Sequence, residues 1–126
     1  MTPSRILIVE DEVLIALQLQ ADLEADGHRV IGPARALAEA TALAQQGDLD
    51  LALIDVRLGQ DTSTALADEL LERSIPFAFT TGYSEADVVP EHLRSIPRLI
   101  KPYALDRIRS VIEKLRGPPG RSLAGS

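Results

Sequence analysis

Short apolar runs alternate with helical patterns along most of the chain. Residues 5–10 (RILIVE) and 51–56 (LALIDV) are almost continuously apolar until they reach an acidic residue. This pattern is typical of strands that are buried on both faces of a parallel sheet. Shorter runs predict three more strands, at residues 28–33 (HRVIGP), 76–81 (PFAFTT) and 98–100 (RLI).

Between the strands, apolar residues recur at helical spacing. The strongest pattern lies in residues 104–116, where Leu105, Ile108, Ile112 and Leu115 share one face. A helix after the fourth strand is less well defined, because Pro90 and Pro97 restrict its length. Ser84, Glu85 and Asp87 resemble the first turn of this helix. Three earlier helices are predicted by Ile15, Leu19 and Leu23 before Gly27, by Leu37, Ala40 and Ala44 before Gly47, and by Leu66 and Leu70 after a cap at Ser63 or a neighbour. In chain order these three helices precede the one after the fourth strand.

Five strands that alternate with helices specify an α/β fold, in which a parallel sheet is covered on both faces through right-handed crossovers. At 126 residues and 45% hydrophobic side chains, the chain has the size of one compact domain. Its core must consist of Leu, Ile, Val and Ala, since only four residues are aromatic. We expect a domain over residues 1–116 and a flexible tail or linker over residues 117–126 (GPPGRSLAGS).

Composition narrows the possible classes of function. The chain has no cysteine, which excludes disulfides and thiolate metal sites and fits a reducing compartment. No signal-like segment is present, and no apolar run approaches the roughly 20 residues of a membrane span. We therefore expect a cytoplasmic location. A net charge of −6 without a basic cluster argues against binding to nucleic acid.

Polar residues with useful chemistry follow the apolar runs. In doubly wound sheets, ligands bind outside the carboxyl ends of the strands, so these residues are expected to gather at one edge. They are Glu10 and Asp11 after the first strand, Asp55 near the end of the third, Thr80 and Thr81 at the end of the fourth, and Lys101 after the fifth.

Acidic residues packed together need a counter-charge, because two like charges about 4 Å apart repel by roughly 4 kcal/mol at an effective dielectric constant near 20. Mg²⁺ prefers oxygen ligands and usually takes one or two carboxylates together with phosphate oxygens. Glu10, Asp11 and Asp55 would be neutralised by such an ion and by Lys101. The alternative is that Glu10, Asp11 and Glu12 form the solvated start of a helix, where the helix dipole favours negative charge. We assign Glu12 to that role.

Four motifs in this order resemble the receiver domains of bacterial two-component response regulators. The motifs are VEDE (residues 9–12), LIDV (53–56), TTG (80–82) and KP (101–102). The resemblance extends from residue 4 to about residue 116. It implies a doubly wound five-stranded parallel sheet in the flavodoxin-like order 2-1-3-4-5.

The resemblance also implies a role for each site residue. Asp55 would be the phosphoacceptor and Thr81, selected by the following Gly82, the switch hydroxyl. Lys101 would bind the phosphoryl group, and the Lys101–Pro102 peptide would be cis. Mg²⁺ would be held by Glu10, Asp11, Asp55 and the backbone carbonyl of Arg57. Taken singly, Asp55 also fits a loop cap, Thr81 a strand end and Lys101 a surface lysine, but together they favour the site.

Several positions depart from the typical receiver pattern. Arg98 stands where most receivers have an aromatic switch residue, and Gly59 stands where most have proline, so a more mobile loop is expected there. Residues 76–83 (PFAFTTGY) resemble the Pro-Phe-x-Phe-Ala-Thr-Gly-Tyr signature of an atypical subgroup and differ from it at Thr80. In that subgroup Tyr83 is a possible aromatic reporter, although it also fits simple surface packing.

The function that the resemblance implies is a phosphorylation-activated signalling receiver, and not an enzyme beyond its own phosphoryl transfer and dephosphorylation. Its partners would be a sensor histidine kinase or histidine phosphotransfer protein and a downstream protein, with no nucleic acid or membrane. Output would follow from protein contact or phosphate relay, whether the chain stands alone or belongs to a longer protein. The alternatives are a Mg²⁺-dependent haloacid dehalogenase-type phosphatase, which needs a second acid where Arg57 stands, and a phosphorylation-independent binding module.

Overall fold

A computed structural model describes residues 3–82 and 89–117 of the chain. Strands and helices alternate as predicted, and each predicted strand is present within one or two residues of its expected bounds. In chain order the elements are β1 (Arg5–Val9), α1 (Val13–Ala25), β2 (Arg29–Ala34), α2 (Leu37–Gln46), β3 (Leu51–Asp55), β4 (Arg57–Leu58), β5 (Asp61–Thr62), α3 (Thr64–Glu72), β6 (Phe77–Thr81), β7 (Arg98–Ile100) and α4 (Leu105–Arg116).

The main sheet has five parallel strands in the order β2-β1-β3-β6-β7. When these five strands are numbered along the chain, the order is 2-1-3-4-5, so the predicted topology is confirmed. The strands β4 and β5 form a separate antiparallel ribbon immediately after β3. The sequence pattern does not predict this ribbon, because two residues per strand are too few for an alternation to be detected.

Alternate side chains of the sheet enter two separate cores, one on each face. On one face, Leu53, Ala78 and Leu99 pack against α1 and α4. On the other, Ile54 and Phe79 pack against α2 and α3. The helices contribute the residues that their apolar periodicity predicts: Leu19 and Leu23 from α1, Ala40 and Ala44 from α2, Leu66 and Leu70 from α3, and Ile108 and Ile112 from α4.

One local prediction turns out differently, and another lies outside the described residues. Ser63 is the residue before α3, but its hydroxyl donates to the Val56 carbonyl oxygen at 3.3 Å and does not cap the helix. The uncertain helix after β6 was expected to begin at residues 84–87, which lie outside the described residues. Beyond them, a short 3-10 turn (Glu91–Leu93) buries Leu93 in the core.

Within the described residues, two Xaa-Pro peptides, Gly32–Pro33 and Lys101–Pro102, are cis. The first lies where the pairing of β1 with β2 becomes irregular. Gly32 has a φ of +96°, and a Cβ there would lie 2.6 Å from the Ala34 backbone nitrogen. Only glycine fits this close approach without a shift of the backbone. None of the described helices has the length and apolar character needed to span a membrane.

Candidate functional site

Three acidic side chains meet at the carboxyl edge of the sheet. Val9 of β1 pairs with Ile54 of β3, so the following residues, Glu10 and Asp55, lie side by side. Both are almost fully buried, at 1% and 2% exposure, whereas Asp11 is half-buried. Carboxylate oxygens of all three lie within 4.8 Å of one another. The sheet topology therefore brings these acids together, as the positions of the strand ends predict.

Lys101 reaches into this cluster from the end of β7. Its Nζ lies 2.9 Å from Glu10 Oε1 and 2.9 Å from Asp55 Oδ2, and its side chain is only 12% exposed. Glu12 Oε1 lies further away, at 3.6 Å, and its side chain is 62% exposed. One buried ammonium thus stands between two buried carboxylates and compensates part of their charge.

The pKa of Asp55 is raised from 3.8 to about 8, mainly by burial and also by the neighbouring Glu10, while Lys101 opposes both. For Lys101, burial lowers the pKa, but the contacts with Glu10 and Asp55 outweigh burial, and the net shift is upward. Lys101 therefore remains an ammonium at neutral pH. The pKa of Asp55 shows that one ammonium does not fully offset the cost of burying this carboxylate.

Backbone N–H groups orient the three acids. Glu12 donates to Glu10 Oε2 at 3.0 Å, and Gly59 donates to Asp11 Oδ2 at 2.9 Å. Arg57 N–H lies 3.4 Å from Asp55 Oδ1, which makes this the longest of the three hydrogen bonds. Gly59 has a φ of +63°, a left-handed conformation that glycine adopts without strain. The loop after β3 therefore helps to fix the site.

The two threonines at the end of β6 differ in their bonding. Thr81 is fully buried, and its hydroxyl donates to the Gly82 carbonyl oxygen at 3.0 Å. Its own carbonyl oxygen accepts from Lys101 N–H at 2.8 Å, so Thr81 and Lys101 are adjacent at the sheet edge. Thr80 is 2% exposed, and its hydroxyl has no hydrogen-bond partner within the described chain.

The structure places most of the predicted residues together. Glu10, Asp11, Asp55 and Lys101 form one cluster, Thr81 lies next to Lys101, and the Lys101–Pro102 peptide is cis. The metal-binding role of the Arg57 carbonyl and the site roles of the other residues remain predictions. Tyr83 lies outside the described residues.

Sequence reasoning missed three contributors to the site. Glu12, assigned only to the start of α1, is also an ion-pair partner of Lys101. The Gly59 N–H could not be foreseen, because its bond to Asp11 depends on the conformation of the loop. Tyr103 is half-buried near the cluster, and burial together with the charge of Glu10 raises the pKa of its hydroxyl. The position of Tyr103, two residues after Lys101 in the sequence, is the signal that could have indicated that it lies near the cluster.

A cavity of about 510 Å³ opens beside the cluster, between α1 and residues 101–103. Leu14, Ile15 and Leu19 line it on the α1 side. The adjoining surface of α1 leaves Leu14 83% exposed and Leu17 55% exposed. This concentration of exposed apolar side chains next to the site is a feature of surfaces that contact other proteins.

Among the described residues, Glu10, Asp11 and Asp55 are the one group of three or more His, Cys, Asp or Glu side chains with the spacing to hold a metal ion. All their donors are carboxylate oxygens, the ligands that hard divalent cations prefer. Two of the three are buried. The cluster is therefore chemically suited to a hard cation.

Known proteins are similar to this chain in sequence and in fold. PhyR of Methylorubrum extorquens is 35% identical over 88% of the chain and 43% of its own length. PdtaR of Mycobacterium tuberculosis is 32% identical over 88% of the chain and 56% of its own length. The chain thus spans about half the length of these curated relatives.

SdrG of Sphingomonas melonis Fr1 has a solution structure that superposes with a TM-score of 0.80, at 39% identity, covering 89% of this chain and 96% of SdrG. A second solution structure of SdrG, from Pseudomonas melonis Fr1, is described as the BeF3-activated conformation. It superposes with a TM-score of 0.76 at 39% identity, and the match covers 93% of this chain and 100% of SdrG. Residues 6–113 match the response regulator receiver domain. The chain belongs to the response regulator receiver domain family.

Proposed function

We propose that this domain is a phosphorylation-activated signalling switch, in which Asp55 accepts a phosphoryl group from a phosphohistidine donor. The observation that carries the proposal is the position of Lys101 Nζ, 2.9 Å from Asp55 and 2.9 Å from Glu10 at the carboxyl edge of the sheet. A buried ammonium beside a carboxylate supplies positive charge where phosphoryl transfer to that carboxylate would need it.

In the proposed reaction, one carboxylate oxygen of Asp55 attacks the phosphorus of the donor. A P–O bond forms, the P–N bond to the donor imidazole breaks, and the imidazole leaves with the electron pair of that bond. The product on Asp55 is an acyl phosphate. Phosphoryl transfer needs mainly in-line positioning and neutralisation of the equatorial oxygens, and the Lys101 ammonium contributes to this neutralisation.

The acidic cluster is also the proposed Mg²⁺ site. Glu10, Asp11 and Asp55 would hold the ion, with the Arg57 backbone carbonyl as a further ligand, and their oxygen donors within 4.8 Å fit this cation. The raised pKa of Asp55 supports the assignment, because it shows that Lys101 alone does not compensate the charge of the buried carboxylate. When bound, Mg²⁺ supplies charge neutralisation to the transferring group.

For the switch, we propose that the Thr81 hydroxyl leaves the Gly82 carbonyl oxygen and bonds to a phosphoryl oxygen. In the unphosphorylated structure this hydroxyl donates to the Gly82 carbonyl oxygen at 3.0 Å, so the change would displace Gly82 at the end of β6. Residues 1–116 would act as the receiver unit, with residues 117–126 as its tail or linker. The altered surface around Gly82 would then contact a downstream protein.

For the donor, we propose a sensor histidine kinase or a histidine phosphotransfer protein that docks beside α1. The exposed Leu14 and Leu17 and the adjacent cavity offer an apolar contact surface next to Asp55. The SdrG structure in its BeF3-activated conformation supports activation by a phosphoryl group, because BeF3 is an analogue of that group.

The proposal is tested by incubating the protein with phosphoramidate and Mg²⁺ and measuring its intact mass. The wild-type protein should gain one phosphoryl group, and Asp55→Asn should gain none. Asp106→Asn is the matched control, because the Asp106 side chain is 96% exposed on α4, and it should behave as wild type. Removing Mg²⁺ with EDTA should suppress the modification.

Two results would contradict the proposal. One is phosphorylation of Asp55→Asn at the wild-type rate. The other is sustained hydrolysis of a phosphomonoester at constant rate, which is the behaviour of a phosphatase. A third result would favour a phosphorylation-independent binding module. In that case the wild-type protein stays unmodified, and the wild type and Asp55→Asn bind the partner with the same affinity.

A further inference from the structure

Thr80 has a buried hydroxyl that the proposed mechanism leaves unused. The residue is 2% exposed, and Oγ1 has no hydrogen-bond partner in the described part of the chain. Burying an unpaired hydroxyl is unfavourable, because the group loses its hydrogen bonds to water without replacement. The position is also the one at which the chain departs from the Pro-Phe-x-Phe-Ala-Thr-Gly-Tyr signature. The Thr80 hydroxyl is therefore available to form a hydrogen bond in another state of the protein.

The register of the sheet sets Thr80 beside Asp55. The two residues are direct partners in the pairing of β3 with β6. Neighbouring strands lie about 4.8 Å apart, and paired residues of parallel strands point to the same face. Thr80 is therefore the cross-strand neighbour of the proposed phosphoacceptor.

The two cores of the protein confirm which face each threonine occupies. Ala78, two residues before Thr80, packs in the core under α1 and α4, together with Leu53, two residues before Asp55. Phe79, two residues before Thr81, packs in the opposite core. Because side chains alternate along a strand, Thr80 shares the face of Asp55 and Thr81 does not.

The bonding of Asp55 leaves room for another donor. Its Oδ2 lies 2.9 Å from Lys101 Nζ, but the hydrogen bond of Oδ1 to Arg57 N–H is long, at 3.4 Å. Rotation about the Cα–Cβ bond of Thr80 moves its hydroxyl without moving the strand. A hydroxyl adjacent to a buried carboxylate is a suitable donor, because hydrogen bonds to charged groups are the strong ones.

We infer that Thr80 is a positioning residue for Asp55. Its hydroxyl donates a hydrogen bond to the ionised carboxylate and orients it for attack, and then donates to the carbonyl oxygen of the acyl phosphate. No proton leaves Thr80, so the stoichiometry of the transfer is unchanged. The inference rests on the proposed function, in which Asp55 is the phosphoacceptor.

The test compares Thr80→Val, which keeps the shape and removes the hydroxyl, with Thr80→Ser, which keeps the hydroxyl. Thr41→Val, on α2, is the control for loss of a threonine hydroxyl outside the site. The rate of phosphorylation by phosphoramidate with Mg²⁺ is measured by intact mass over a range of donor concentrations. Thr80→Ala gives a second variant without the hydroxyl if the valine variant does not fold.

Thr80→Val should lower the maximal rate about tenfold or more, the effect of losing one hydrogen bond to a charged group. The donor concentration at half-maximal rate should not change, because Thr80 orients Asp55 and does not bind the donor. Thr80→Ser should recover most of the rate.

A wild-type rate in Thr80→Val, or an equal loss in Thr80→Ser, would overturn the inference and leave the proposed function standing. If wild-type protein takes up no phosphoryl group, the proposed function fails and the inference fails with it. A purely structural role for Thr80 predicts a lower unfolding temperature in Thr80→Val with no change in maximal rate, and that result would also overturn it.

Discussion

Replacing Lys101 by Met tests whether one buried ammonium holds the acidic cluster together. The side chain is 12% exposed, and its Nζ lies 2.9 Å from the carboxylates of Glu10 and Asp55, which are both almost fully buried. Removing one partner of a buried ion pair typically costs about 3–5 kcal/mol, since the remaining charge is left without compensation. We expect a loss of free energy of unfolding in this range without Mg²⁺.

The size of the loss should depend on pH. The folded pKa of Asp55 is raised from 3.8 to about 8, so the folded protein binds a proton that the unfolded chain releases. The contribution of this group to stability is therefore full below pH 3.8 and is lost as the pH rises through about 8. Without Lys101, the buried Asp55 carboxylate lacks its compensating ammonium, and a larger fraction of it is ionised at high pH. The loss of free energy of unfolding in Lys101→Met should therefore be larger at about pH 9 than at about pH 6.

The assay is urea unfolding in EDTA at both pH values, compared with the wild type and with Lys114→Met. Lys114 is the other lysine of the chain and is exposed on α4, so its replacement should change the free energy of unfolding by less than about 0.5 kcal/mol. Adding Mg²⁺ should restore part of the lost stability in Lys101→Met. A Lys101→Met protein as stable as the wild type at high pH would refute the role of the ammonium.

Three further predictions concern His28, Leu23 and Gly32. His28 Nδ1 accepts from Ser4 N–H at 3.0 Å, and burial lowers the His28 pKa below 6.5. The free energy of unfolding should therefore fall as the pH drops below 6.5. In urea titrations, His28→Gln should flatten this pH dependence. Leu23→Ala should cost about 2–5 kcal/mol in urea unfolding because Leu23 is fully buried, whereas a comparable loss in the exposed Leu14→Ala would contradict the packing. Gly32→Ala should lower the thermal midpoint because its Cβ would approach Ala34 N at 2.6 Å, and an unchanged midpoint would argue against this backbone.

Much of the fold follows from periodicity. Runs such as residues 51–54 are apolar at every position, as strands buried on both faces require, and the alternation with helices then indicates a parallel sheet. Because parallel strands end at one edge, the same runs also predict that Glu10 and Asp55 lie close together. Their carboxylate oxygens are indeed within 4.8 Å of each other and of Asp11.

The features that the sequence does not predict depend on loops and on register. The bond from Gly59 N–H to Asp11 joins residues 48 positions apart through a loop conformation that no periodicity describes. Which threonine shares the face of Asp55 depends on the pairing of β3 with β6, and a shift of one residue would exchange Thr80 and Thr81.

The most direct test of the site is to trap its acyl phosphate. After incubation with phosphoramidate and Mg²⁺, borohydride reduces an aspartyl phosphate to an alcohol, and peptide mass spectrometry locates the altered residue. Conversion at Asp55 alone is the result we predict. Conversion at Asp11 or another carboxylate, with Asp55 unchanged in folded protein, would contradict the assignment of the nucleophile.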